Sequence, residues 1–329
     1  MEYWLPVIYF GIMGLALLIY VILDGYDLGV GMLLPLADER EKDLMIASIG
    51  PFWDANETWI VLGVGVLLIA FPQAHALVLT SLYLPVTIML MGLILRGVAF
   101  DLRVKGGDNH RTLWNRAFFG GSLIAATAQG WMLGIFVTGL DGGAMGNAFA
   151  VLIALTLPAL YVLLGCGWLL MKAEGDLFRK AQRWAARALW PMGLGLFLVS
   201  IATPLVSDAI AEKWFSWPNL LWLSPIPLFC ALSFAVLVYI LRDHSGTERH
   251  PWLVMGATTV ICIMAAVGLA YSLFPYIVPN RLTLWEAASS TDSLLFTLVG
   301  VVVTLPAILF YTVYVYRVFH GRATDLSYE

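Results

Sequence analysis

Long apolar runs separated by short polar stretches dominate the chain. Nine windows of about 18 or more mostly apolar residues occur, and each could cross the roughly 30 Å hydrocarbon core as an α-helix. The predicted runs lie near residues 3–23, 57–74, 76–100, 114–138, 146–171, 187–207, 219–241, 252–274 and 292–318. A transmembrane β-barrel would instead show segments of about ten residues with alternating polarity. The pattern therefore predicts an all-α integral membrane protein with nine transmembrane helices.

Composition supports this class of protein. Hydrophobic residues make up 60% of the 329 positions and charged residues only 12%, whereas a soluble domain has roughly a quarter charged residues. The chain opens with MEYWLPV, which has an acid and a long apolar run where a signal peptide has a basic start, so we expect this segment to be retained. The sequence contains no P-loop or dinucleotide-binding glycine motif, which argues against nucleotide-driven transport.

The basic residues predict the orientation in the membrane. Of the 18 Lys and Arg residues, all but Lys213 and Arg281 fall in alternate connections or after the ninth run. Because Lys and Arg in short loops stay on the cytoplasmic side, the N-terminus should face outward and the C-terminus the cytoplasm. Residues 171–190, between the fifth and sixth runs, are expected to form an amphipathic segment on the inner surface.

Two acids follow the first apolar run. Asp24 and Asp27 are three residues apart, which places them on one helical face, and glycines surround them in the stretch DGYDLGVG. A charged side chain at mid-membrane costs at least about 2.5–3.5 kcal/mol, so each needs a reason to be there. One interpretation ends the membrane at Asp24 and leaves both acids in water. The apolar stretch that follows them weakens that interpretation.

The stretch IGPFWDANETW places further polar residues at the start of the second run. Asp54 as N-cap and Glu57 three residues later would form an acidic capping box at a helix start. Capping alone does not explain Asn56 or the two tryptophans. Arg96 lies in the third run, four residues before its end at Phe100, and could simply extend its side chain to the interface. Asp101 follows directly after the run.

The predicted topology brings these charges to one side of the membrane. The ends of the first and third runs and the start of the second should all face the cytoplasm, so the acids and the arginine can meet. The candidate residues are Asp24, Asp27, Asp54, Glu57, Arg96 and Asp101. Such a group suits a proton entry path, and it equally suits a static ion-pair network.

Ligands for a metal or haem are not expected in this chain. None of the five histidines falls at mid-membrane depth, and the three cysteines lie in apolar runs without CxxC spacing. The cysteines and most methionines are therefore predicted to be packing residues.

Three motifs in order, DGYDLGVGMLLP, IGPFWDANETWIV and ILRGVAFDLR, resemble subunit II of the cytochrome bd-type quinol oxidases. The resemblance is specific over residues 20–105, and the short chain is similar to the cyanide-insensitive branch. It implies two four-helix bundles, in residues 1–140 and 141–275, and a peripheral ninth helix with a cytoplasmic tail in 276–329. The family usually has glycine after the WD pair, where this chain has Ala55.

The resemblance also implies a function and a partner. The chain would be the haem-free subunit of a quinol:oxygen oxidoreductase in the bacterial inner membrane, paired with a subunit I that carries the b and d-type haems. A small accessory subunit and a structural quinone or lipid are further implied partners, and nucleic acid is not. The family's proton-channel aspartates align with Asp27, Asp54 and Asp101, Asp24 and Glu57 lie in the same motifs, and Arg96 matches the basic residue ending the third helix.

Two other hypotheses stay open. A proton-coupled secondary transporter would use the same inner acids and would bind its substrate near the midplane, where Gln129 is the main polar candidate. A purely structural subunit would use the acids only for capping and pairing. The oxidase subunit is the preferred interpretation, with Asp54, Asp101 and Asp27 passing protons and Arg96 holding the carboxylates.

Overall fold

A computed structural model describes residues 2–105 and 110–323, with side chains for residues 2–103 and 110–323. Nine helices within these ranges are long and apolar enough to cross a membrane, as the sequence predicts. The predicted tail beyond residue 323 lies outside the described residues. The helices are α1 (Trp4–Leu33), α2 (Glu39–Ile49), α3 (Trp53–Ala70), α4 (Pro72–Ser81), α5 (Tyr83–Lys105), α6 (Arg111–Val137), α7 (Ala144–Lys172), α8 (Gly175–Val206), α9 (Asp208–Phe215), α10 (Asn219–Leu223), α11 (Pro225–Arg242), α12 (His244–Arg249), α13 (Trp252–Leu273), α14 (Leu284–Ala287) and α15 (Thr291–Val318).

The first predicted run ends too early. Helix α1 continues past Asp24 and Asp27 to Leu33, and a 3₁₀ turn at Leu34–Leu36 follows. Both acids are fully buried, so the interpretation that leaves them in water is wrong. The hydropathy of the sequence falls at these two charges, so the predicted run ends there. The sequence does not show that other helices supply their partners.

The second and third runs also have different bounds from those predicted. Helix α3 begins at Trp53 and ends at Ala70, and Pro72 starts the short helix α4. Proline favours the first turn of a helix, where no backbone N–H is needed. The third span begins only at Tyr83, after α4, so part of the predicted run 76–100 belongs to a separate helix.

The segment predicted as a surface helix between the fifth and sixth spans is instead part of the sixth. Helix α8 runs from Gly175 to Val206 without a break, so its polar first half continues directly into the apolar half. Lys180 in this polar half pairs with Glu41 of α2 at 2.6 Å. Helix α2 was not predicted, and a capping box of Asp38 and Glu41 starts it.

Helix packing places α1 at the centre of the protein. Helix α1 packs against α3, α6 and α7, while α5 packs on α6, α7 on α8 and α11 on both α8 and α13. Helix α15 packs mainly on α3 and faces outward elsewhere. The division into bundles of residues 1–140 and 141–275 stays a prediction, since α1 contacts α7 of the second group as closely as its own neighbours. A two-stranded hairpin, β1 (Tyr276–Val278) with β2 (Leu282–Thr283), precedes α14.

The crossing of α1 and α7 is a contact between backbones. A Cβ on Gly29 would lie 2.6 Å from the carbonyl carbon of Tyr161, and one on Gly165 would lie 2.6 Å from the carbonyl carbon of Gly29. Only glycine permits this approach, as at other close crossings of membrane helices. The contact fixes the depth of Asp24 and Asp27, which lie within two turns of Gly29 on the same helix.

Candidate functional site

A buried arginine joins three transmembrane helices. Arg96 of α5 donates from Nη1 to Oδ1 of Asp24 on α1 at 2.7 Å and from Nη2 to Oε1 of Glu57 on α3. Arg96 is 1% exposed and Asp24 is 0% exposed, whereas the side chain of Glu57 is 30% exposed. Arg96 does not extend to the interface, so that alternative is wrong. The ion pairs instead run from a fully buried acid to one near the surface.

Asp27 lies in a second buried group, which is built from neutral side chains. Asn56 donates from Nδ2 to Oδ2 of Asp27 at 2.7 Å and to the hydroxyl of Tyr26 at 2.9 Å. Tyr316 of α15 donates to Oδ1 of Asn56 at 3.1 Å, and its hydroxyl oxygen lies 2.5 Å from that of Tyr26. The amide of Asn56 is therefore held at both ends, and it presents its N–H groups to Asp27.

The two groups together hold three carboxyl groups and one guanidinium group. Asp24, Asp27 and Glu57 surround one guanidinium, and Arg96 pairs directly with only two of them. Oδ2 of Asp24, Oδ1 of Asp27 and Nε of Arg96 are buried and have no hydrogen-bond partner among the described residues. Buried polar atoms of this kind usually bind ordered water, which would link the two groups.

The aromatic residues around Asn56 seal this region. Trp168 stacks on Tyr26 with ring centroids 4.3 Å apart, and Phe52 lies 4.7 Å from the ring of Tyr316. Lys172 lies over both Phe52 and Trp168, at 5.2 and 5.0 Å from the ring centroids. Its Nζ donates to the carbonyl oxygens of residues 319 and 321 at 2.6 and 2.8 Å. Lys172 thus fastens the end of α15 beside the polar group.

A third polar chain leads deeper into the protein. Tyr161 of α7 donates to Oε1 of Gln129 on α6 at 2.6 Å, and Nε2 of Gln129 donates to the hydroxyl of Tyr20 on α1 at 2.8 Å. Tyr20 lies one helical turn before Asp24. Gln129, the residue considered for a midplane substrate site, therefore has both ends of its amide bonded to tyrosines. This arrangement joins three helices.

The exposed acids occupy a different position from the buried ones. Asp54 lies in the first turn of α3 and is exposed, but Phe52 is the N-cap residue and no side chain caps the helix. The predicted capping box of Asp54 and Glu57 is therefore wrong, because the helix begins two residues earlier than assumed and Glu57 turns inward to Arg96. Asp101 is exposed on α5, and within the described residues no hydrogen bond or ion pair joins it to Arg96 or the buried acids.

A separate network of ion pairs links helices at the same end of the bundle as the buried acids. Arg103, only 4% exposed, donates to Asn115 at 2.6 Å and to Asp43 of α2 at 2.7 Å. Asp43 also accepts from Arg111 at 2.8 Å. The network ties α2 to the ends of α5 and α6. It holds α2 under the bundle, next to the buried site.

The predicted candidates therefore divide into two sets. The structure brings Asp24, Glu57 and Arg96 into direct contact and buries Asp27 beside them, while Asp54 and Asp101 stay at the surface. Sequence reasoning missed Tyr26 and Tyr316 as partners of Asn56. Tyr26 lies inside the DGYD motif, but Tyr316 lies 260 residues from Asn56, and nothing in the local sequence indicates their contact.

The histidines and cysteines form no metal site in the described part of the chain. No group of three or more His, Cys, Asp and Glu side chains there could hold a metal ion. Cys166 and Cys262 are buried in the core, and all three cysteines are free.

Comparisons with known proteins identify the family. The sequence model of the cytochrome bd terminal oxidase subunit II family matches residues 5–319. The chain is 26% identical to cytochrome bd-I ubiquinol oxidase subunit 2 of Escherichia coli K12, covering 97% of this chain and 95% of that protein. It is 26% identical to cytochrome bd ubiquinol oxidase subunit 2 of Bacillus subtilis, with 93% of each covered.

A solved structure shares the fold. A chain of the bd oxidase from Geobacillus thermodenitrificans superposes with a TM-score of 0.76 at 18% identity, covering 96% of this chain and 98% of that one. The family match covers nearly the whole chain, including the motifs that build the buried site. The protein is a member of the cytochrome bd terminal oxidase subunit II family, a multi-pass membrane component of a quinol oxidase whose haems lie in the partner, subunit I.

Proposed function

We propose that this subunit stabilises subunit I and delivers cytoplasmic protons to the reduction of oxygen to water in the complex. The observation that carries the proposal is the graded exposure of acids from the surface to the interior. Asp54 is exposed, Glu57 is partly exposed, and Asp24 and Asp27 are fully buried. Burying carboxylates in a membrane is costly, and acids at such positions commonly mark proton relays.

The entry of this path lies on α3. Asp54 and Glu57 are three residues apart and therefore share a helical face. Glu57 touches Arg96, which also binds Asp24, so a proton that reaches Glu57 lies one side chain from the buried acid. Arg96 fixes the positions of both carboxylates by charge-assisted hydrogen bonds.

Asp27 is suited to hold the transferable proton. It has no ion-pair partner within the described residues, and its bonded oxygen accepts from a neutral amide. An unpaired carboxylate in a low-dielectric interior is costly as an anion, so the neutral form is favoured when no cation is adjacent. One oxygen of Asp27 and one of Asp24 are buried acceptors without a hydrogen-bond partner among the described residues, and a water that bridged them would connect the two acids.

Asparagine variants test the proposal. Asp27→Asn, Asp54→Asn and Asp101→Asn should each slow quinol-driven oxygen uptake, and the buried Asp27 should show the largest loss, at least about tenfold. Haem spectra should stay intact. Asp208→Asn is the matched control, because Asp208 is an exposed acid in the first turn of α9, away from the site. Unchanged turnover in all three variants would reject the proton path.

A purely structural role is the rival that a specific observation favours. The ion pairs of Arg96 join α1, α3 and α5 and would hold these helices together without any proton movement. Under that hypothesis Asp27→Asn leaves turnover per haem unchanged and changes only the yield or thermal stability of the complex.

Under a transporter hypothesis, a haem-free chain would move its substrate when purified without subunit I.

Orientation, partners and inhibitor response belong to the same proposal. The basic residues support an N-terminus outside the bacterial inner membrane and a C-terminus in the cytoplasm. The complex would oxidise quinol, include a small accessory subunit, hold a structural quinone or lipid and resist cyanide. Labelling of single cysteines from each side of the membrane tests the orientation, and a cyanide titration of oxygen uptake tests the resistance.

A further inference from the structure

The groove between α8 and α11 is separate from the buried acids and has charged and apolar parts side by side. Nε2 of Gln182 on α8 donates to the carbonyl oxygen of Leu241 at the end of α11, at 3.3 Å. The next residues, Arg183 and Arg242, therefore lie at one level on the two helices. A cavity of about 570 Å³ that both arginines line adjoins one of about 650 Å³, which Arg242 also lines.

The acids that line the two cavities are already bonded within the protein. Each accepts hydrogen bonds from a neighbouring backbone amide or a basic side chain: Asp38 from Glu41, Glu41 from Lys180, Asp176 from Arg179, and Asp243 from Ser245 and Gly246. Arg183 and Arg242 have no carboxylate within ion-pair distance among the described residues. The mouth of the groove therefore offers two exposed positive charges without carboxylate partners, while each acid that lines it already has a hydrogen-bond donor.

The second cavity continues from Arg242 along the membrane-facing side of α11. It is lined by Phe234, Val238 and Tyr239. Trp190 of α8 packs edge-on against Phe234, with ring centroids 6.2 Å apart. Phe234 precedes Arg242 by eight residues, so it lies about 12 Å deeper along the helix. Tyr239 is 77% exposed. An apolar wall thus extends into the membrane directly from the charged mouth.

We propose that this groove binds one anionic phospholipid, with its phosphate at Arg183 and Arg242 and an acyl chain along the wall of Phe234 and Val238. Basic pockets between membrane helices at the cytoplasmic surface bind such head groups. A zwitterionic head group would also bring an ammonium, which would have to compete with Arg179 and Lys180 for acids that these side chains already bind. A small soluble anion would leave the apolar wall unused. Charge and shape together select an anionic lipid.

The test uses the purified complex that contains this chain. The complex is equilibrated with mixed vesicles of phosphatidylglycerol and phosphatidylethanolamine in equal amounts, re-extracted in mild detergent, and examined by native mass spectrometry for retained lipid. Arg183→Gln and Arg242→Gln should each lower phosphatidylglycerol retention by about fivefold. Arg249→Gln is the matched control, because this exposed arginine of α12 does not line the groove. Ala235→Trp fills the apolar cavity without changing charge, and it should lower retention too.

Haem content and oxygen uptake serve as folding controls and should stay unchanged in all four variants. Equal retention in the groove variants and the unsubstituted complex would overturn the proposal. An equal loss in Arg249→Gln would also overturn it, since that result indicates a general effect of surface charge. Retention of phosphatidylethanolamine as strong as that of phosphatidylglycerol would overturn the selection by charge. The outcome is independent of the proton path, whose residues are not altered.

Discussion

The hydroxyl oxygens of Tyr26 and Tyr316 lie 2.5 Å apart, although 290 residues separate them in the chain. Tyr26 belongs to the central helix α1 and Tyr316 to the ninth span, which otherwise packs mainly on α3. Both hydroxyls also bond the side chain of Asn56, the partner of Asp27. The ninth span therefore contributes directly to the buried polar group, and this contribution can be tested.

Tyr316→Phe should slow oxygen uptake about two- to tenfold, which corresponds to the net loss of about 0.5–1.5 kcal/mol expected for a hydrogen bond. The phenylalanine leaves Oδ1 of Asn56 without its donor, so only the hydrogen bonds of Nδ2 then hold the amide beside Asp27. Turnover per haem at several pH values is the measurement. Tyr314→Phe is the control, because Tyr314 is 57% exposed on the same helix. The same turnover in both variants would contradict a positioning role for Tyr316.

Arg96→Gln should destabilise the complex by about 3–5 kcal/mol, because it leaves the fully buried Asp24 without its cation. Adding Asp24→Asn should restore part of this loss by removing the unpaired charge. Thermal unfolding followed by haem absorbance measures both. Arg179→Gln breaks an exposed pair with Asp176 and should change stability by less than about 1 kcal/mol. If the double variant is no more stable than Arg96→Gln alone, charge pairing with Asp24 is not the cause.

Gly29→Ala should lower stability by about 1–3 kcal/mol or more, because the added methyl group overlaps the backbone of α7. The control is Gly14→Ala on the same helix, where nothing lies within 4 Å of the added atom. That change should be neutral or slightly stabilising, since alanine favours helix. The midpoints of thermal denaturation of the two variants decide the question. Equal midpoints would contradict the prediction, because they would mean that α1 and α7 can move apart to fit the methyl group without loss of stability.

The stability of the start of α2 should depend on pH through the carboxyl group of Asp38. The backbone amide of Glu41 donates to its carboxylate and lowers the pKa of Asp38, with Lys180 adding to the effect. Since the folded state favours the charged form, the stabilisation is complete above the unfolded pKa near 3.8 and is lost as pH falls through the lower folded pKa. The protection factors of the α2 amides, which compare the measured hydrogen-exchange rate with the intrinsic rate at the same pH, should therefore fall in acid. Asp38→Asn keeps the cap but should remove this dependence; an unchanged acid response would implicate another group.

Much of the fold follows from hydropathy, because nine apolar runs of sufficient length leave little choice of architecture. The bounds of the runs were less predictable where a helix carries charges that other helices satisfy, as at Asp24, or where a polar face continues into an apolar one, as in α8. The motifs indicated Asp24, Asp27, Glu57 and Arg96 but could not rank them. Their burial depends on three helices meeting, which no local pattern encodes.

The contacts of Asn56 set an order of events during synthesis. The ribosome delivers α1 and α3 early and α15 much later, so Tyr26, Asn56 and Asp27 enter the bilayer before Tyr316 exists. Until then Oδ1 of Asn56 lacks its donor, and Lys172 lacks the carbonyl groups that later satisfy it. The polar group therefore matures only when the ninth span inserts. A chain that ended before that helix would have the other spans in place, but Asn56 and Lys172 would lack these hydrogen-bond partners.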